Sequence, residues 1–250
     1  MLKKAVFYKK KILIYGFGIS GLSSFKFLNK KNYCYIVDDN KKNIPSKLRA
    51  KTINQKKLYN YDFDYVVLSP GIDINKCRLS KYLRKNRSKI ITDLDIFYLK
   101  YPKLKKITIT GTNGKSTTSK LLYDILKEHK KDVRLTGNIG NPILLEKRLK
   151  SHTFFIIEAS SYQLEYSRFF RSNYSLILNL SPDHLERHGN FKNYVKAKFK
   201  LIQNQSKKDF AFIENENKVL NSLIDKNKIK SKLIKVNFNN YKKYYKLITN

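Results

Sequence analysis

All nine glycines of this 250-residue chain lie before residue 190, and most stand at the ends of short apolar runs. Gly16, Gly18 and Gly21 follow Ile12-Leu13-Ile14-Tyr15, Gly71 follows Tyr65 to Leu68, Gly111 and Gly114 follow Lys106 to Thr110, and Gly137 and Gly140 follow Val133 to Thr136. A chain that uses glycine so sparingly keeps it where backbone must take a positive φ or approach a ligand closely. The glycines therefore outline a site at strand ends before any motif is recognised.

The apolar runs between them alternate with helical patterns. Strands are predicted at Lys11 to Tyr15, Tyr33 to Val37, Tyr65 to Leu68, Lys106 to Thr110, Val133 to Thr136, Phe154 to Glu158, Tyr174 to Leu180, Phe210 to Ile213 and Leu233 to Val236. Helices are predicted over Ile19 to Lys30, Asn75 to Arg87, Asp93 to Tyr101, Phe191 to Asn204 and Asn217 to Lys226, and over Lys115 to His129, where Leu121, Leu122, Ile125 and Leu126 are expected to be buried. Strands separated by helices imply right-handed crossovers and parallel sheets. The expected class is α/β, in two domains: a Rossmann-like domain over residues 1–102, and over 103–250 a P-loop-type domain with a mostly parallel sheet. At ~150 residues per domain the length agrees with two. Residues 237–250, rich in Asn, Lys and Tyr, read as a frayed end.

Composition closes several alternatives. The formal charge is +34, but only nine of 53 basic residues are Arg and the lysines run from one end of the chain to the other. Dedicated nucleic-acid readers favour Arg and gather charge on one face, so no specific nucleic-acid partner is expected. No apolar stretch reaches the ~18 residues that cross a bilayer, and the basic start leads into a first strand. Cys34 and Cys77 have no metal-ligand spacing, which suits a cytoplasmic protein with reduced thiols.

Three constellations carry chemistry. Gly16-Phe17-Gly18-Ile19-Ser20-Gly21 joins a strand to a helix, and Asp38 ends the next strand about 20 residues on; such a turn seats a pyrophosphate on helix N-terminal amides and places an acid near a ribose. Gly111-Thr112-Asn113-Gly114-Lys115-Ser116-Thr117 follows Ile107-Thr108-Ile109-Thr110 as a phosphate-binding loop: backbone amides cradle phosphates, Lys115 reaches β/γ oxygens and Ser116 can ligate Mg²⁺. The usual outer glycine is here Ile109. Glu158 ends a buried strand where a triphosphate's Mg²⁺ wants an anionic neighbour. Asn179-Leu180-Ser181-Pro182-Asp183-His184 brings further polar groups to the same sheet edge. His129, His152 and His188 have no such placement.

These segments in this order resemble the Mur ligase family. Gly111 to Ser116 is similar to its signature, and the Gly16 to Ser23 turn, Ser69-Pro70-Gly71-Ile72, Gly137-Asn138-Ile139-Gly140, Glu158-Ala159-Ser160-Ser161-Tyr162-Gln163-Leu164-Glu165, Asp183-His184-Leu185-Glu186-Arg187-His188 and Tyr194-Val195-Lys196-Ala197-Lys198 continue the likeness over about residues 10 to 205. Tyr162 stands where the family commonly has Phe, and Glu186 where it commonly has Asp.

The resemblance implies an ATP-dependent ligase that adds D-glutamate to UDP-N-acetylmuramoyl-L-alanine through an acyl phosphate, in peptidoglycan precursor synthesis, acting as a monomer. It implies UDP-sugar binding by Gly16 to Gly21, Asp38, Ser69, Pro70, Gly71 and Asn138, and ATP binding by Gly111 to Thr117. Lys115, Glu158, His184 and Lys198 would be catalytic; Ser116, Glu158, His184 and a carbamylated Lys198 would hold Mg²⁺. The family has a further carboxy-terminal domain that nothing after Val236 resembles, so the chain alone is expected to turn over little or nothing. A catalytically dead nucleotide-binding remnant is the main alternative, and a basic nucleic-acid binder a second.

Overall fold

The computed structural model describes residues 6–236; the stretch read as a frayed end lies outside them. The chain forms two compact units, and they are not contiguous in sequence. The first runs to Lys103 and takes back Asn141–Leu149 and Tyr166–Phe170; the second comprises Leu104–Gly140, Lys150–Glu165 and the chain from Arg171 onward.

In the first unit, β1 (Lys11–Tyr15), α1 (Ile19–Leu28), β2 (Tyr33–Val37), α2 (Gln55–Tyr59), β3 (Tyr65–Leu68), α3 (Ser80–Lys85), β4 (Ile90–Ile91) and α4 (Asp93–Lys100) follow in order. The sheet is parallel with strand order β2-β1-β3-β4. Sequential order reverses at β1, so a crevice opens beyond the carboxyl ends of β1 and β3, the usual ligand position in such sheets. Ile12, Leu13, Ile14 and Tyr15 are fully buried, as expected of a strand covered on both faces.

The second unit contains β5 (Lys105–Thr110), α5 (Lys115–Glu128), β6 (Val133–Gly137), β7 (Phe154–Glu158), α6 (Ser161–Glu165), β8 (Tyr174–Ile177), α7 (Leu185–His188), α8 (Phe191–Gln203), β9 (Phe210–Glu214), α9 (Lys218–Lys226) and β10 (Lys232–Val236). Its sheet is also parallel, in the order β10-β9-β8-β5-β7-β6. β5 lies between β7 and β8, and the loops leaving these three strands converge at one edge.

Three local expectations are corrected. The helix predicted over Asn75 to Arg87 contracts to Ser80–Lys85, because the Asp73 side chain accepts the Asn75 N–H and holds the preceding residues in a turn that competes with helix. On α5, Leu122 and Leu126 pack against Ile109, Val133 and Ile156, whereas Leu121 and Ile125 are exposed. At 100° per residue the 122/126 row faces the sheet and the 121/125 row is turned to its flank. β8 stops at Ile177, because Asn179 turns out of the strand to bond the loop after β5.

Cys34 and Cys77 are free thiols. No helix of the described residues is long and apolar enough to cross a membrane.

Candidate functional site

The glycine turn of the first unit closes on itself by hydrogen bonds. Gly16 N–H donates to Val37 O at 2.9 Å, Ser69 N–H donates to Tyr15 O at 3.0 Å, and the Ser69 hydroxyl donates to Gly16 O at 2.6 Å. The structure thus brings together the two segments, 16–21 and 69–72, that the sequence singled out separately. Glycine is required at position 21, where a Cβ would stand 1.9 Å from Gly16 O. Phe17 turns its ring into the core against Phe25, whereas Ile19 is exposed.

Asp38 is buried, and its carboxylate is engaged. Oδ2 accepts the Phe17 N–H at 2.5 Å, while Oδ1 accepts the Asn40 N–H at 2.8 Å and the Asn43 side-chain amide at 3.1 Å. It braces the turn as well as standing near it. Beside it opens a cleft of about 510 Å³ whose wall includes Lys41, Arg49, Thr52, Asn54 and Arg78. Pro70 is half-buried and Gly71 exposed, in a turn closed by Ile72 N–H donating to Ser69 O at 3.0 Å.

In the second unit the phosphate-loop residues leave β5 and enter α5 at Gly114, whose φ of +79° caps the helix. Thr112 N–H donates to Asn179 O at 2.8 Å, Asn113 N–H to Asn179 Oδ1 at 2.8 Å, and the Asn179 amide returns to Asn113 O at 3.1 Å. The Thr112 hydroxyl pairs with Tyr194 OH at 3.0 Å and accepts Ser181 N–H at 3.0 Å. Asn179 and Tyr194 therefore shape the loop. The sequence offered only the polar run after β8 as a sign of this. Lys115 Nζ lies back on the loop, donating to Thr112 O at 2.7 Å, while Ser116 and Thr117 are exposed at the helix start.

Glu158 pairs in register with Ile109, beside the base of this loop. It is 1% exposed. Oε1 accepts the Asn138 side-chain amide at 3.0 Å, and Oε2 is buried without a partner. Asn138, expected at the substrate, here holds a carboxylate. A buried anionic oxygen without a donor is unfavourable unless a cation covers it, and carboxylate oxygen is a ligand of hard divalent cations. The residues therefore fit Mg²⁺.

Lys198 and Tyr194 lie one turn apart on α8. Lys198 is almost wholly buried, donates to Gly111 O at 2.8 Å and Thr110 Oγ1 at 3.3 Å, and sits over the Tyr194 ring. Burial, and then the Lys115 charge, push its ammonium down to about 7, with Asp183 and Glu158 opposing. His184 takes a left-handed φ of 50°. It is partly exposed, with its ring 4.9 Å from that of Tyr162, Nε2 3.5 Å from Asp183 and Nδ1 3.6 Å from Glu186. Among the described residues no group of three or more His, Cys, Asp or Glu forms a ready-made metal site. His188 is a buried histidine paired with Ser161 Oγ at 3.0 Å; burial pushes its imidazolium down.

Two parallel α/β sheets, one unit carrying a glycine turn after its first strand and the other a glycine loop that opens a helix, define the architecture. The chain belongs to the Mur ligase family: residues 10–91 match the Mur ligase MurD-like N-terminal domain and residues 109–249 the Mur ligase middle domain. Among curated relatives it is 36% identical over 245 residues to the UDP-N-acetylmuramoylalanine–D-glutamate ligase of Elusimicrobium minutum, covering 93% of this chain and 54% of that protein. It is 34% identical over 229 residues to the enzyme of the same name from Caldicellulosiruptor saccharolyticus, covering 87% and 50%. The chain thus spans about half the length of the curated relatives it matches. The fold is shared with a UDP-N-acetylmuramate:L-alanyl-γ-D-glutamyl-meso-diaminopimelate ligase from Neisseria meningitides, at a TM-score of 0.54 and 15% identity over 90% of this chain and 77% of that one. A murein peptide ligase from Psychrobacter arcticus shares it at 0.51 and 15%, over 90% and 53%.

Proposed function

We propose that this chain carries the UDP-sugar and ATP sites of a ligase that adds D-glutamate to UDP-N-acetylmuramoyl-L-alanine in peptidoglycan precursor synthesis. The observation that carries the reading is the loop Gly111–Thr117, braced by Asn179 and Tyr194, beside a buried Glu158 whose Oε2 lacks a partner. The names of the relatives supply the substrates.

In this reading the amides at the start of α5 and the Lys115 ammonium receive ATP phosphates, Lys115 leaving Thr112 O for the β/γ oxygens. The γ-phosphoryl group passes to the L-alanyl carboxylate, giving an acyl phosphate and ADP. The D-glutamate amine attacks the acyl carbon; the C–N bond forms, the C–O bond to phosphate breaks, and the amine loses a proton. Ser116, Glu158, His184 and Lys198 would hold Mg²⁺, which when bound neutralises charge on the phosphoryl oxygens. Lys198, close to neutral at physiological pH, is suited to take up CO₂: its nitrogen bonds the carbon, a proton leaves, and the product is an anionic carbamate. The turn Gly16–Gly21, with Asp38, Ser69, Pro70 and Gly71, seats the diphosphate sugar.

Isothermal titration with UDP-N-acetylmuramoyl-L-alanine and with Mg²⁺ plus a non-hydrolysable ATP analogue tests this. Binding of both is expected, with Lys115→Ala removing only the second. A chain that binds neither overturns the reading.

A further inference from the structure

The link between β6 and β7 is built around Glu158. Gly137, the last residue of β6, pairs with Glu158, and a Cβ on it would stand 2.2 Å from Glu158 O. Glycine thus lets the next residue reach the same strand end. Asn138 then bonds Glu158 twice, its backbone N–H to Glu158 O at 2.9 Å and its side-chain amide to Oε1 at 3.0 Å. The first bond fixes where Asn138 stands. The second fixes the carboxylate, because an amide faces an anion with its NH₂ and repels it with its oxygen. With Oε1 taken, Oε2 is the oxygen left buried and without a donor.

We infer that Asn138 is a positioning residue: it holds the Glu158 carboxylate by Oε1 so that Oε2 faces a divalent cation. The inference rests on the cation reading proposed above for Glu158. A residue that merely touched substrate would need neither bond to Glu158. Hydrogen bonds that orient a ligating carboxylate typically change metal affinity about 10–100-fold when removed.

The test uses the 250-residue chain with Mn²⁺ alone as probe, free Mn²⁺ being read by electron paramagnetic resonance, for the wild type, N138A, E158Q and the double variant. Thermal unfolding in EDTA is measured on the same four proteins. N138L, near-isosteric and without a donor, replaces N138A if that variant does not fold, and N138Q, which keeps the NH₂ on a longer arm, probes rescue. Expected are a loss of Mn²⁺ binding in E158Q, a roughly 10–100-fold weakening in N138A, no further loss in the double variant and partial recovery in N138Q. In EDTA, N138A should lower the midpoint more in the Glu158 protein than in the E158Q background. Wild-type Mn²⁺ affinity in N138A beside its loss in E158Q overturns the positioning role and leaves the cation reading standing. Wild-type affinity in E158Q overturns the cation reading and the inference with it, even if the EDTA cycle still reports the hydrogen bond. Additive losses in the double variant also overturn it.

Discussion

The carboxylate of Asp95 accepts the backbone N–H of Phe170 at 2.8 Å, joining residues 75 positions apart. The same group accepts the N–H of Phe169 at 2.8 Å, that of Arg168 at 3.0 Å and the Ser167 hydroxyl at 2.9 Å, and it closes a capping box with Thr92 at the start of α4. Asp95 is fully buried, so each donor it releases would be left without water. Asp95→Asn, which keeps one acceptor oxygen, should destabilise the chain by about 2–4 kcal/mol, read as a lower urea midpoint at unchanged slope. A midpoint within error of wild type would contradict this account.

Gly21→Ala drives a methyl into Gly16 O, which is backbone and cannot swing away. The expected cost is about 1–3 kcal/mol or more, together with loss of UDP-sugar binding and retention of the ATP analogue. Calorimetric titration with each ligand checks the split.

The folded-state ammonium of Lys198 titrates near 7, below its ordinary 10.5. Between those values the unfolded chain binds the extra proton, so the burial penalty is fully present below about pH 7 and is relieved as pH rises toward 10.5. Lys198→Met should therefore gain stability relative to wild type at pH 6.5, and that advantage should shrink steadily by pH 10. A difference in melting temperature that does not vary with pH would show that Lys198 is not held neutral by burial.

Asn179→Ala removes both side-chain bonds to Asn113. Loosening the loop by about 1–2 kcal/mol should weaken the ATP analogue roughly 10-fold, with UDP-sugar affinity unchanged. Asn179→Asp keeps the acceptor for Asn113 N–H and should fall between the two.

The strand–glycine–helix units were readable because their signals are local: an apolar run, a glycine that admits the turn and a helix of regular period lie within some twenty residues at Lys11–Leu28 and again at Lys105–Glu128. What stayed hidden depends on partners distant in sequence. Asn138 stands 20 residues before Glu158, and Thr112 stands 82 before Tyr194. Neither spacing has a pattern to betray it. Asp38 was found for its position at a strand end, but the Phe17 N–H that it accepts is visible only in three dimensions. The exposed Leu121 and Ile125 show the limit of apolar spacing, which identifies a helix more securely than the edge of its buried stripe.

The interleaving of the two units has a practical consequence for anyone wishing to take the molecule apart. The backbone passes from one to the other at Lys103, Gly140, Leu149, Glu165 and Phe170. A protease that nicks the chain after Lys103 therefore severs only one of five threads. The downstream fragment still carries Arg168, Phe169 and Phe170, whose amides are seated on Asp95 of the upstream one. The nicked protein should migrate as one species on a native gel and as two in denaturant.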